Sequence, residues 1–208
     1  MNISATINSL RLLYTPTLVL PHLVISTFNS LPVPLRIPIT KADGTATGKT
    51  QEIKAIILDK DNCFAKAYDD KVWPEYTEKW KQLRAAYPGD RLLIVSNSAG
   101  SDDDKNHAEA KFIEETTGVT VFKHSTKKPG CHKDIMDHLT KNGLVKGPHE
   151  VAVVGDRLMT DIMMANTMGS YGIWVKDGVV PPTSLICKLE KIVYSNLVTR
   201  GFKPPCPV

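Results

Sequence analysis

The chain has 208 residues, enough for one α/β domain of about 150 residues with additional segments. Apolar residues make up 42% and charged residues 23%, ordinary for a globular core, and a net charge of +4 is too mild to argue by itself for nucleic acid. That charge fits an anionic substrate or an anionic membrane surface. The four cysteines, Cys63, Cys131, Cys187 and Cys206, form no C-x-x-C pair and share no zinc-like spacing with the six histidines. Free thiols in a reducing compartment are therefore expected.

Residues 1–50 differ from the rest. No Asp or Glu precedes Asp43, and Arg11 and Arg36 are the only strong positive charges before Lys41. Ile3, Ile7, Leu10 and Tyr14 recur at helical spacing and predict a short amphipathic helix. The apolar triplets Leu18-Val19-Leu20 and Leu23-Val24-Ile25 are interrupted by Pro16, Pro21, Pro32 and Pro34, so nothing approaches the roughly 20 apolar residues of a spanning helix. A secretory signal is poorly supported, because a charged n-region and a clean cleavage pattern are both missing. Two readings stay open: the segment lies in a membrane interface, or it packs on the domain or at an oligomer contact. Residues 41–50 are polar and rich in Gly and Thr and read as a linker. The expected division is an N-terminal membrane-associating segment and linker over 1–50, a main domain over 51–200 and a frayed tail over 201–208.

Within the main domain, residues 53–58 form an apolar, β-branched run that reads as a buried strand and ends in Asp59 and Asp61. Pro74 opens a helix whose apolar stripe is Tyr76, Trp80, Leu83 and Tyr87, stopped by Pro88-Gly89-Asp90. A second strand over 91–95 ends in Ser96-Asn97-Ser98. Asp102, Asp103 and Asp104 read as the solvated, dipole-favoured first turn of a helix ending near Gly118. A third strand spans 119–122, followed by a loop with Lys127-Lys128-Pro129 and a helix over 131–142 with Ile135 and Leu139 inward. A fourth strand over 150–154 runs into Gly155-Asp156 and, after a short turn, Asp161. A helix through Met168, a fifth strand over 171–175 and a last helix over 183–200 complete the chain. That last helix is predicted to place Ile186, Leu189, Val193 and Leu197 on one face. Strands alternating with helices imply right-handed crossovers and a mainly parallel sheet with helices on both faces.

Several polar groups are thus predicted at one edge of the sheet: Asp59 and Asp61, Ser96 and Asn97, Lys128, and Asp156 with Asp161. Each alone is weak, since a D-x-D pair, a Ser-Asn turn or a helix-capping acid is common. In this order at the carboxyl ends of parallel strands, where α/β sheets bind ligands, they form a specific signal. The set is complete for phosphoryl transfer. Asp59 and Asp156 offer the hard oxygens that Mg²⁺ prefers. Asp59 can attack phosphorus, and Asp61 can give a proton to the leaving alkoxide and later take one from water. Ser96 and Asn97 can hydrogen-bond phosphoryl oxygens, and Lys128 can balance developing charge. Asp161 is expected to bind the metal through water or to orient Lys128.

These four motifs resemble those of the haloacid dehalogenase superfamily of phosphatases, over roughly residues 53–176. Within it, Leu58-Asp59-Lys60-Asp61-Asn62-Cys63 and the stretch from Val154 to Asn166 are similar to the phosphatidylglycerophosphate phosphatases of fungal mitochondria. The resemblance implies a Rossmann-like fold, Mg²⁺, an aspartyl-phosphate on Asp59 and a metal ligand from the Asp61 backbone carbonyl. It further implies removal of phosphate from phosphatidylglycerophosphate, towards cardiolipin, at the matrix side of the inner membrane. Lys128 rather than Lys127 fits the third motif because it directly precedes proline.

Only about 35 residues separate Asp61 from Ser96, too few for a domain-sized cap, and no large insertion fits before Lys128 either. An open site is expected, suited to a phosphate on a lipid, a polynucleotide end or a phosphoprotein. The acid-free N-terminal segment favours the lipid, and no basic and aromatic strip calls for nucleic acid. The alternatives are a phosphatase of soluble monoesters or polynucleotide 3′-phosphates, and an inactive membrane-associated scaffold. Oligomeric state is left open.

Overall fold

In the computed structural model, which describes residues 14–40, 45–181 and 184–208, the apolar run before Asp59 forms strand β4 (Ala55–Leu58). Its four side chains are all buried, alternately on the two faces of the sheet: Ala55 and Ile57 on one, Ile56 and Leu58 on the other. A strand buried on both faces belongs at the centre of a parallel sheet, and β4 lies there. It pairs in parallel with β5 (Leu92–Ile94) and with β7 (Val151–Gly155). The remaining strands are β6 (Thr120–Val121) beyond β5, then β8 (Tyr171–Val175) and β1 (Leu23–Ile25) beyond β7. The order is β1-β8-β7-β4-β5-β6, every pairing parallel. β2 (Arg36–Thr40) and β3 (Ala46–Glu52) make a separate antiparallel pair. This is the expected Rossmann-like α/β fold with a mainly parallel sheet.

The connecting helices are α1 (Thr77–Ala86), α2 (Ala108–Thr117), α3 (His132–Lys141), α4 (Met163–Met168) and α5 (Leu185–Thr199). α1 presents Trp80 and Leu83 to one face of the sheet, with Tyr76 and Tyr87 flanking it, as the stripe predicts. α3 and α4 bury Ile135, Leu139, Met164 and Met168 on the other. No domain-sized cap interrupts the described chain between β4 and β5 or between β5 and α3.

Four expectations are corrected. The first is the boundary at residue 50. β1 is an edge strand of the main sheet, and Phe28, Leu31 and Leu35 are fully buried in its core. Phe28 lies 6.1 Å from Trp80 and 5.6 Å from Tyr76 by ring centroids, and the Leu35 amide donates to the Tyr87 hydroxyl at 2.8 Å. Residues from Pro16 onward therefore pack on the domain, and the second half of the expected linker is strand β3. The helix predicted over Ile3, Ile7 and Leu10 lies outside the described residues.

The second is the tail. The Val208 amide donates to Gly169 O at 3.1 Å, and the Val208 carbonyl accepts from the His149 amide at 3.2 Å. His22 accepts from the Gly172 amide through Nδ1 at 3.0 Å and meets Pro205 O through Nε2 at 2.8 Å. A chain end tied down in this way does not fray. The third concerns Asp104, which is no solvated helical residue. It precedes α2, and its carboxylate accepts backbone N–H bonds from Gly100, Glu109 and Ala110 at 2.9–3.0 Å. Burial would raise its pKa, but these three donors outweigh it and hold the carboxyl below its usual range.

The fourth is α5. Leu197 is buried and Val193 half-buried, whereas Ile186 and Leu189 are exposed. The helix turns Glu190 inward instead, because Arg157 holds it there.

Candidate active site

The register explains how distant residues converge. Leu58 is level with Val154 on one side and Ile94 on the other, and the Asp59 amide donates to Val154 O at 2.8 Å. Asp59, Asn97 and Asp156 therefore leave the sheet at the same edge, where the chain order reverses about β4. They line an open cavity of about 780 Å³ together with Asp61, Lys128 and Arg157.

At its floor, the Lys128 ammonium forms an ion pair with Asp59 and another with Asp161, the latter at 2.7 Å. Asp59, Asp156 and Asp161 can each turn one carboxylate oxygen to a common point, all within 4.8 Å of one another. Burial pushes the Asp59 carboxyl up to about 7, with Lys128 opposing the rise and Asp161 adding to it. Burial, reinforced by the charges of Asp59 and Asp161, holds Asp156 well above the usual carboxylate range. Burial would lower Lys128, but Asp161 and Asp59 outweigh it and keep the ammonium form. Three carboxyl groups thus share one lysine. The residual negative charge and the all-oxygen donor set fit a hard divalent cation.

Asp161 reaches this position through a π-type turn over Leu158–Ile162, which lets its Oδ2 accept from the Arg157 amide at 3.1 Å. The turn needs a glycine at its root, since a Cβ on Gly155 would lie 2.3 Å from Asp161 Oδ2. Asp161 therefore orients Lys128 directly as well as facing the common point of the carboxylates. Of the two adjacent lysines, Lys127 is turned outward to Asp103, and Lys128 alone enters the cavity.

Asp61 stands at the rim and is part-exposed. Its Oδ1 accepts from the Tyr68 amide at 3.0 Å and pairs with buried Lys60 at 3.1 Å. Lys60 is itself held by Asp70 and the Asp69 carbonyl, so the loop after β4 fixes the orientation of Asp61. The Asn97 side-chain oxygen accepts from the Lys128 amide at 2.7 Å, which fastens the loop carrying Lys128. Ser96 departs from its expected role. It is buried beneath the cavity with its Oγ accepting from the Ser98 amide, and Asn97 and Ser98 line the wall instead. The strand ends at Ile94 and the chain bends at residues 97–98, which turns Asn97 and Ser98 to the cavity and leaves Ser96 behind them.

Two contributors escaped the sequence reading. Asn62 adopts a left-handed backbone (φ 56°), donates to Asp156 Oδ2 at 3.2 Å and accepts from the Val179 and Val180 amides through Oδ1. It thus ties the first motif to both the fourth and the loop after β8. Asn62→Ala is expected to reduce activity or metal affinity by about 10–100-fold, as for other residues that orient a ligand. Titrating Mg²⁺ against turnover checks this; wild-type values of both would remove Asn62 from the site. The second is Glu190, buried and paired with Arg157 at 3.1 Å, which places Arg157 on the cavity wall. An Asn directly after a D-x-D was a usable signal for Asn62; nothing local marked Glu190.

Comparison with known proteins shows the family. The mitochondrial phosphatidylglycerophosphatase of Saccharomyces cerevisiae is 51% identical over 197 residues, 95% of this chain and 99% of that protein. The probable mitochondrial phosphatidylglycerophosphatase of Schizosaccharomyces pombe is 27% identical over 187 residues, 89% of this chain and 88% of its own length. The chloroplastic/mitochondrial phosphatidylglycerophosphate phosphatase 1 of Arabidopsis thaliana is 32% identical over 162 residues, 75% of this chain and 45% of that one. A family model described as mitochondrial PGP phosphatase matches residues 3–180, from before the first described residue to beyond the last strand of the sheet, and the chain belongs to that family.

Proposed function

We propose that this protein removes the terminal phosphate of phosphatidylglycerophosphate to leave phosphatidylglycerol, as a Mg²⁺-dependent phosphatase working towards cardiolipin at the matrix side of the inner mitochondrial membrane. The observation that carries the reading is the joining of Asp59, Asp156, Asp161 and Lys128 at the floor of an open cavity. The named activity of the relatives, above all the yeast protein that is similar over nearly the whole chain, supplies the substrate.

Mg²⁺, held by Asp59, Asp156, the Asp61 backbone carbonyl and, through water, Asp161, would offset repulsion between these carboxylates and a phosphate dianion. A carboxylate oxygen of Asp59 attacks phosphorus, the bond from phosphorus to the glycerol oxygen breaks, and the departing alkoxide takes the Asp61 proton. The Asp61 carboxylate then takes a proton from water as that water attacks the phosphorus of the aspartyl-phosphate. Phosphate leaves and Asp59 is restored. Lys128 balances the negative charge that builds on the phosphoryl oxygens, and Asn97 and Ser98 stand on the wall where those oxygens would point.

Among the described residues no helix is long and apolar enough to cross a membrane. We infer peripheral action on an anionic phospholipid, with the part of the N-terminal segment that precedes Pro16 as one membrane contact. A substrate panel tests the whole reading: phosphatidylglycerophosphate, glycerol 3-phosphate, a sugar phosphate and a 3′-phosphorylated oligonucleotide, each with Mg²⁺ and with chelator. The phospholipid should lead in kcat/KM by about 100-fold, or roughly 2.7 kcal/mol of transition-state binding. Chelation should stop turnover and added Mg²⁺ restore it. Equal use of the soluble esters, or full activity in chelator, would refute it.

A further inference from the structure

Helix α5 starts at the cavity and carries two different faces. Ser184, its N-cap, and Cys187, in its first turn, line the cavity wall. Its inner face is fixed: Glu190 accepts from Arg157 and from the Met159 amide, Leu197 is buried, and Tyr194 packs on Trp174 at 5.0 Å. Its outer face is apolar and bare. Leu185 is 81% exposed, Leu189 59% and Ile192 58%, at the i, i+4, i+7 spacing of a single stripe. Across the cavity, Tyr68 is 99% exposed at φ 65°, a backbone region that a bulky side chain rarely adopts. Both sides of the mouth therefore turn apolar side chains to solvent.

The charges around the stripe select its occupant. From Gly178 to the chain end the basic residues are Lys188, Lys191, Arg200 and Lys203; Lys191 pairs with Asp177 at 3.7 Å, Glu190 is buried against Arg157, and Lys188 is exposed beside the stripe. A second copy docking through this face would bring like-charged lysines together. An anionic surface meets no such repulsion. An amphiphile whose phosphate sits on Asp59 must also leave its acyl chains outside the mouth, where the stripe begins.

We propose that α5 is a docking helix for an anionic phospholipid bilayer. Leu185, Leu189 and Ile192 enter the interface, Lys188 faces the headgroups, and Tyr68 seats the opposite rim, so the cavity opens onto the bilayer surface. This rests on the reading that the substrate is a phospholipid, and it adds a membrane contact distinct from the N-terminal segment.

The test uses the full chain carrying Leu185→Gln, Leu189→Gln and Ile192→Gln together, with Tyr68→Asn as an independent second variant. Co-sedimentation with phosphatidylcholine vesicles containing phosphatidylglycerol should fall about tenfold or more in the triple variant and by a smaller factor in Tyr68→Asn. Hydrolysis of substrate in vesicles should fall with it. Hydrolysis of a soluble short-chain ester by the triple variant should stay within about twofold, with circular dichroism and molar mass unchanged. Wild-type vesicle binding by both variants would overturn the proposal. A drop in molar mass would also overturn it, by making the stripe a subunit contact. If the wild type binds vesicles through these residues yet hydrolyses no phospholipid, docking stands and the substrate reading fails.

Discussion

Replacing Asp59 with asparagine is expected to cut turnover about 10,000-fold or more while the protein stays folded, the scale seen when a covalent nucleophile is removed. The reason for folding is geometric. The backbone of residue 59 keeps its bond to Val154 O, the side chain keeps its size, and Lys128 keeps Asp161 as a partner. The reason for inactivity is chemical. An amide oxygen is a poor nucleophile towards phosphorus and a poorer ligand for a hard cation than a carboxylate. The decisive measurement goes beyond rate. Acid quenching of the wild type during turnover should trap one phosphoryl group per chain, labile to hydroxylamine, on the peptide holding Asp59. The variant should trap none. Turnover above a tenth of wild type, or label elsewhere, would show that Asp59 does not attack and that water reaches phosphorus directly.

How much of this was legible in the sequence depends on how local its cause is. β4 could be read because a strand buried on both faces has an unbroken apolar run, and its end could be read because two acids follow at once. Asp156 was recognisable for the same reason, since it directly follows a strand, whereas Lys128 was singled out because it precedes proline, as the resemblance implies. The N-terminal segment stayed undecided between membrane and domain because what buries it is remote. Leu23 pairs with Ile173, and the prolines that argue against a helix are no obstacle to a short edge strand. β3 hid for a related reason. Its residues are mostly polar because it pairs only with β2 at the surface, so it carries no core pattern. α5 misled in the opposite sense. Apolar periodicity identified a stripe, but the inward face is set by Glu190 and its bond to Arg157, 33 residues away in sequence. Val193 and Leu197 of the expected stripe do pack inward, and of the exposed stripe Leu185, Leu189 and Ile192 only Leu189 belonged to it. Ser96 and Ser98 show the finest limit, since both flank Asn97 in sequence and only the bend of the chain at residues 97–98, beyond β5, decides which one lines the cavity.

Lys128→Met should act on activity and stability together, and the adjacent lysine supplies the control. Lys128 is wholly buried between Asp59 and Asp161, and it is the cation nearest three carboxylates that share a point in space. Removing it leaves these charges without their partner. Breaking one member of a buried pair costs about 3–5 kcal/mol when the remaining charge stays ionised, and less where a carboxyl takes up a proton instead. The melting temperature without metal should therefore drop. Added Mg²⁺ should raise it more in the variant than in the wild type, because the cation then faces three carboxylates with no lysine opposing it. Activity follows a different course. Even with metal bound, the charge that builds on the phosphoryl oxygens loses its fixed counter-ion, and kcat should fall about 100–1,000-fold, as when one preorganised donor is lost. Restored stability without restored turnover separates the two roles. Lys127→Met, which loses only a contact to Asp103 outside the cavity, should keep activity within about twofold. If the two variants behaved alike, the cation serving the phosphoryl group would not be Lys128, and the charge balance at the cavity floor would have to come from Arg157 or Lys60, the other cations that line it.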